Sequence, residues 1–244
     1  MAAPPRHGVI DPLHALPREG GAARALAELD RFGIAQAGIS VDEQPGLARE
    51  LLAAHPERFF ARSEVDPRRG MDELRRVARL ARELPLRLVT ASPARLFVPI
   101  DDKRFHPLFA KCVELDLALC TRLGVPAEPV PFAPQHVARI DEVACAFPEL
   151  RIAMRDGCEP WQALAVVLMR KHPNLSYWSG GLLPSELPAE LVEFANGDGA
   201  HQVGFASGAT PGEPFYKALH ELALERAVWP RFLRENVARI LKLS

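Results

Sequence analysis

Eight short apolar runs recur along the chain, each followed by a stretch with helical periodicity, and this alternation restricts the fold more than any other feature. The runs are GVID (8–11), AQAGIS (35–40), FFARSEV (59–65), LRLVTA (86–91), LALCTR (117–122), RIAMRD (151–156), LSYW (175–178) and QVGFAS (202–207). Between them AARALAELDRFG, PGLARELLAAHP, GMDELRRVARLAREL, FHPLFAKCVELD, PQHVARIDEVACAFP and PWQALAVVLMRKHP repeat apolar residues at intervals of three and four. LPAELVEFAN, EPFYKALHELAL and ENVARILKL complete the series. Strands that alternate with helices pair in parallel through right-handed crossovers. Eight such units in 244 residues predict an α/β chain folded as a single closed (β/α)8 TIM barrel over residues 1–244. An open doubly wound sheet is the alternative.

Several function classes fall away at once. No GxGxxG follows the first strand and no GxxxxGK[ST] occurs anywhere, so nothing proposes a nucleotide site. Thirty basic against thirty-one acidic residues leave no broad basic footprint, so no nucleic-acid partner is expected. MAAPPRHG lacks the apolar centre of a signal peptide, and no uncharged apolar run is long enough to span a bilayer. The expectation is a cytoplasmic protein with no membrane contact. Cys112, Cys120, Cys145 and Cys158 show no CxxC spacing and read as reduced thiols.

In a barrel, chemistry sits at the carboxyl ends of the strands. Those positions hold Asp11, Leu13 and His14; Ser40; Asp66; Thr90 and Ser92; Thr121 and Arg122; Arg155 and Asp156; Trp178 and Ser179; Ser207 and Gly208. Arginines and hydroxyls dominate this rim. His14 is the only histidine near a strand end; His55, His106, His136, His172, His201 and His220 fall at helix ends, within helices or just before a strand. A hydrolytic zinc site needs three or four converging His, Cys or carboxylate ligands. Ser92 and Ser207 have no recognisable histidine base, so no hydrolase triad is read.

The chain carries GVID, HPERFFARSEVDPRRGMDELRR, PIDDKRFHPLFAKCVELDLAL, VARIDEVACAFPELRIAM, ALAVVLMRKHPNLSYWSGG and ENVARILKL in that order. In order and spacing these phrases resemble the amidohydrolase-related family whose best-known branch is aminocarboxymuconate-semialdehyde decarboxylase. The resemblance runs from residue 8 to residue 243. It implies a (β/α)8 barrel with one divalent metal, often zinc, that hydrolyses or decarboxylates small carboxylated, often ring-derived, molecules. It also implies a possible homodimer. Carried over position by position, the family's Asp-x-His-x-His phrase becomes Asp11-Pro12-Leu13-His14-Ala15, without either histidine. The histidine ending the fifth strand falls at Arg122, the one ending the sixth at Asp156, and the aspartate after the eighth at Gly208. Only Asp156 of these positions offers a ligand atom. The excursion that usually follows the first strand and covers the site is also short here (LPREGGAARA), which leaves the mouth open or covered by a partner.

These substitutions set the expectations. Arg122 pairs with Asp156 in the space of the lost metal, or both point to solvent. His14 packs between strand and helix against backbone, pointing away from the face of Asp11, Leu13 and Ala15, unless a bulge turns it inward. Cys120, two residues before Arg122, is a buried apolar thiol or, beside arginine, one with a lowered pKa. One functional reading is a barrel without cofactor that binds a small carboxylated molecule through Arg122, Arg155 and Ser207, or that serves another protein as a non-catalytic partner. The other is a hydrolase or carbon–carbon lyase using Asp156, Arg122, Asp11 and His14 without metal, or with zinc in a rebuilt site.

Overall fold

A computed structural model describes residues 8–208, 215, 218–219 and 221–243. All eight expected strands form: β1 (Val9–Asp11), β2 (Ile34–Ser40), β3 (Phe59–Glu64), β4 (Leu86–Ala91), β5 (Ala118–Arg122), β6 (Ile152–Arg155), β7 (Leu175–Trp178) and β8 (Val203–Gly204). They make one parallel sheet in the order β1-β2-β3-β4-β5-β6-β7-β8. The order follows from chain connectivity, because each strand reaches its neighbour through a helix on the outer face. The main crossover helices are Gly21–Arg31, Pro45–Ala54, Met71–Glu83, His106–Glu114, Ile140–Ala146, Gln162–Lys171 and Ala189–Asn196. The helix expected over 134–148 is shortened, and its first part forms two 3-10 turns, Ala133–Gln135 and Val137–Arg139. Much of the helix expected over 213–224 lies outside the described residues.

Alternation along each strand sorts side chains into two cores. Ile34, Ile39, Phe59, Val89, Leu119, Ile152, Met154 and Tyr177 face outward and pack under the helices. Ile10, Phe60, Leu88, Ala118, Cys120, Ala153 and Trp178 face inward and form a separate apolar cluster. Val237, Ile240 and Leu241 of the C-terminal helix Asn236–Leu241 belong to this inner cluster. That helix plugs the amino-terminal end of the barrel. Arg151, just before β6, donates to the Ile240 carbonyl at 2.6 Å, and Lys242 pairs with Asp116, just before β5, at 2.7 Å. Asn236 Nδ2 donates to the Val203 carbonyl at 2.7 Å.

The closed barrel expected from the sequence is corrected to a curled eight-stranded sheet with an open seam. Among the described residues no ladder pairing joins β8 to β1. The run expected over 202–207 pairs only at Val203–Gly204, because the backbone then leaves the sheet: the Phe205 N–H donates to the Phe232 carbonyl at 2.7 Å. The seam is crossed instead by side chains. Arg234 donates to the Gly8 carbonyl at 3.2 Å, and Asp11 is tied to Ser207. Among the described residues no helix is long and apolar enough to cross a membrane.

The packing of the C-terminal plug is testable. Ile240→Ala removes a side chain that is 2% exposed and should cost about 2–5 kcal/mol of stability in urea denaturation. A loss well under about 1 kcal/mol would mean that the plug is not part of the core.

Candidate functional site

Asp11 closes β1 and is fully buried. One carboxylate oxygen accepts from the Ser207 N–H at 3.0 Å and the Leu13 N–H at 3.3 Å. The other accepts from the Ser207 hydroxyl at 2.6 Å and lies 3.2 Å from His14 Nδ1. A carboxylate only accepts, so this contact assigns the Nδ1 proton to His14. Burial pushes the Asp11 carboxyl upward, but His14 and Ser207 outweigh it and hold the group below its ordinary range.

The expected side-chain directions after β1 are corrected. The strand ends at Asp11 and the chain turns at Pro12–Leu13, which breaks the alternation. Leu13 therefore joins Ile10 in the inner cluster. The partner of His14 is the Asp11 carboxylate rather than backbone, and among the described residues its buried Nε2 has no hydrogen-bond partner.

Arg122 ends β5, directly in register with Arg155 at the end of β6. Asp156 follows Arg155, and the structure brings Asp156 to Arg122: Arg122 Nε lies 2.8 Å from Asp156 Oδ2. The contact is an ion pair off the hydrogen-bonding axis, since Nε has no hydrogen-bond partner. Arg122 Nη1 donates to Glu128 Oε1 at 2.8 Å, and Arg95 converges on the same oxygen. Burial weakens the hold of Arg122 on its proton, but Asp156 and Glu128 overcome it and keep the guanidinium charged. The two arginines drive the Glu128 carboxyl down to about 2. Arg155 Nη1 makes a long contact with Asp156 Oδ1 at 3.4 Å.

Asp156 sits on a strained backbone. Asp156, Gly157 and Cys158 take positive φ values of 69°, 76° and 57° in succession. For a residue with a Cβ this costs on the order of 1–3 kcal/mol and persists only where neighbours fix it. The Asp156 N–H donates to the Gly180 carbonyl, and the Gly157 N–H donates to the buried Tyr177 hydroxyl, both at 3.1 Å. A Cβ on Gly181 would lie 2.2 Å from Asp156 Oδ1 and would push the carboxylate from its place, and φ +93° favours glycine there. Gly208 has φ +72°, and a Cβ there would lie 2.3 Å from the Gly181 nitrogen.

Other expectations sort as follows. The Cys120 thiol is fully buried and pushed up to about 12, since burial outweighs the nearby arginines, so the lowered pKa considered for it is corrected. Asp66 stays outside this cluster, paired with Arg68 at 2.7 Å on the surface. Sequence reasoning missed Arg62 and Glu128. Arg62 stands two residues after Phe60 on β3, so strand alternation marks it as inward-facing; inspection of strand ends alone passed over it. Glu128 lies in a Pro-rich loop with no period to reveal it.

The family model described as amidohydrolase matches residues 2–243, and the chain belongs to that family. No curated protein matches its sequence. Among solved structures the fold is similar to an uncharacterized TIM-barrel protein from Bordetella bronchiseptica (TM-score 0.76, 20% identity, covering 91% of this chain and 83% of that one). It is also similar to 5-carboxyvanillate decarboxylase from Sphingomonas paucimobilis (TM-score 0.71, 17% identity, 97% and 99%). A probable 2-pyrone-4,6-dicarboxylic acid hydrolase from Acinetobacter baumannii, with citric acid bound, has a TM-score of 0.72 at 10% identity, covering 97% and 100%.

The residues present do not fit the divalent metal that the family resemblance implies. A cation, Arg122, stands at one ligand position and occupies the carboxylate at the next. Asp11 is committed to Ser207, Leu13 and His14. Gly208 is closed to any side chain by the Gly180–Gly181 backbone. Among the described residues no three His, Cys, Asp or Glu side chains come together as a metal site.

Two measurements check this site. Ser207→Ala leaves buried Asp11 short of a donor and should cost about 1–3 kcal/mol in urea denaturation. Asp11 and Glu128 both have lowered carboxyl pKa values when folded. Their stabilisation is therefore complete above the ordinary carboxylate range and is lost as pH falls through the folded values. The urea midpoint should drop between pH 4.5 and about 2, and Glu128→Gln should make that drop shallower; an unchanged profile contradicts the pairing.

Proposed function

We propose that this amidohydrolase-family chain binds a small carboxylated molecule at the strand-end face of its barrel, without the metal-generated nucleophile of metal-dependent hydrolases. Its role is that of a binding barrel or a non-catalytic partner of another protein. The observation that carries the reading is the Arg122–Asp156 ion pair, which sets a fixed organic cation against the one ligand-type side chain left at the resembling positions. A bound metal makes hydroxide available near neutral pH by lowering the pKa of its water. A guanidinium cannot coordinate water in that way, but it recognises a carboxylate through a planar fork. The names of the structural neighbours, a carboxyvanillate decarboxylase and a pyrone-dicarboxylic acid hydrolase, support a carboxylated ligand as the chemical class.

A second reading is favoured by one observation. His14 has its Nδ1 held by the Asp11 carboxylate and its buried Nε2 without a partner among the described residues, which is the form of an oriented general base. That reading makes the chain a metal-independent hydrolase or carbon–carbon lyase on a carboxylated molecule, with His14 as base and Arg122 holding the carboxylate. Turnover in a screen of carboxylated lactones, amides and semialdehydes, abolished by His14→Asn, would select it.

Elemental analysis of the purified protein tests the primary reading. The expected result is substoichiometric zinc, manganese and iron, and a carboxylate-induced rise in melting temperature that survives chelation. One equivalent of tightly held metal, with ligand binding or turnover lost on chelation, would overturn it.

A further inference from the structure

A cleft of about 340 Å³ lies between the segments that follow β4 and β5 and the start of the helix Ile140–Ala146. Asp101, Phe132, His136, Arg139 and Glu142 line it, and none of Asp11, Arg122 or Asp156 does. The volume is at the lower end of the range of small-molecule sites. Bonds within the chain hold its walls. The Ile100 N–H donates to the Pro134 carbonyl at 3.1 Å, which joins the two segments. Arg139 donates from Nη1 to both Asp101 oxygens, at 3.0 and 2.9 Å, and from Nε to the Ala133 carbonyl at 2.7 Å. The rings of His136 and Trp161 lie 4.0 Å apart between centroids, and that of Phe132 lies 5.5 Å from Trp161. Phe132 belongs to neither apolar core and is 43% exposed, so it serves the cleft as an aromatic wall rather than the fold as packing.

The charges around the cleft leave one carboxylate over. Asp101 and Arg139 cancel. Asp141 is engaged by Lys171 and His172. His136 Nδ1 accepts the Ala138 N–H at 3.1 Å, so its ring is neutral with the proton on Nε2. Glu142 has no hydrogen bond or ion pair among the described residues. Aromatic faces attract cations, and a free carboxylate beside them sets the same sign for the ligand. We propose that this cleft binds a small arylalkyl amine as its ammonium, with the aromatic ring against Phe132 and His136 and the charge on Glu142. The fixed walls cost little to order on binding. The site is independent of the carboxylate-binding reading, because it uses other residues and takes a ligand of opposite charge.

Ligand-observed NMR titration of the full chain with phenethylamine, phenethyl alcohol, phenylacetate and butylamine tests the site. The alcohol lacks the charge, phenylacetate inverts it, and butylamine lacks the ring. Phenethylamine should bind the wild type at least about tenfold more tightly than each of the others, the scale of one charge-assisted contact. Glu142→Gln should bring phenethylamine down to the level of the alcohol, and Phe132→Ala should bring it down to the level of butylamine. Both side chains are exposed, so both variants should melt with the wild type. The proposal is overturned if the alcohol, phenylacetate or butylamine binds as tightly as phenethylamine, or if phenethylamine does not bind. A Glu142→Gln protein that keeps the preference for amine over alcohol also overturns it.

Discussion

The buried carboxylate of Asp11 holds together what the sheet alone does not. A closed parallel barrel shares the work of closure over a ladder of backbone hydrogen bonds. Here β8 pairs for only two residues among those described, and the Asp11 side chain ties the end of β1 to Ser207 beyond β8. Asp11 accepts from Ser207 twice, caps the turn at Leu13 and positions His14. Because it is fully buried, each of these donors is needed to offset desolvation. A change at Asp11 therefore acts on the seam, on the turn after β1 and on His14 together, and these effects will not add independently.

The strand-end face follows the same electrostatic logic with different parts. A metal centre is a positive charge surrounded by donors. At the strand ends of this chain a positive charge comes from the polypeptide itself, as Arg122 held by Asp156 and Glu128. Three successive residues at positive φ place Asp156, Gly181 gives its carboxylate room, and Gly208 packs against the Gly180–Gly181 backbone. Breaking a buried pair by removing one partner typically costs about 3–5 kcal/mol, and burying it gains little net stability.

Much of this was legible in the sequence, for identifiable reasons. The period-two and period-3.6 patterns fix strands and helices because burial of one face enforces them, and the eight strands appear where the patterns place them. The approach of Arg122 to Asp156 could be reasoned from neighbouring strand ends, since parallel register puts Arg122 beside Arg155. The open seam was not legible, because QVGFAS reads as a strand whether or not its backbone finds a ladder partner, and Phe205 turns to Phe232 instead. The contact of His14 with Asp11 depends on a turn at Pro12–Leu13 that ends strand alternation earlier than the apolar pattern suggests. Arg62 carries the right parity but sits mid-strand, where a charge on an otherwise apolar run gives no sign of whether a partner waits for it.

The central claim is that a guanidinium–carboxylate pair stands where the family resemblance puts a metal. The most direct measurement is an anomalous-difference map from crystals grown with zinc. The expected result is Arg122 still seated on Asp156 and no anomalous peak within coordination distance of Asp156. A strong peak on Asp156, with Arg122 displaced from it, would contradict the claim.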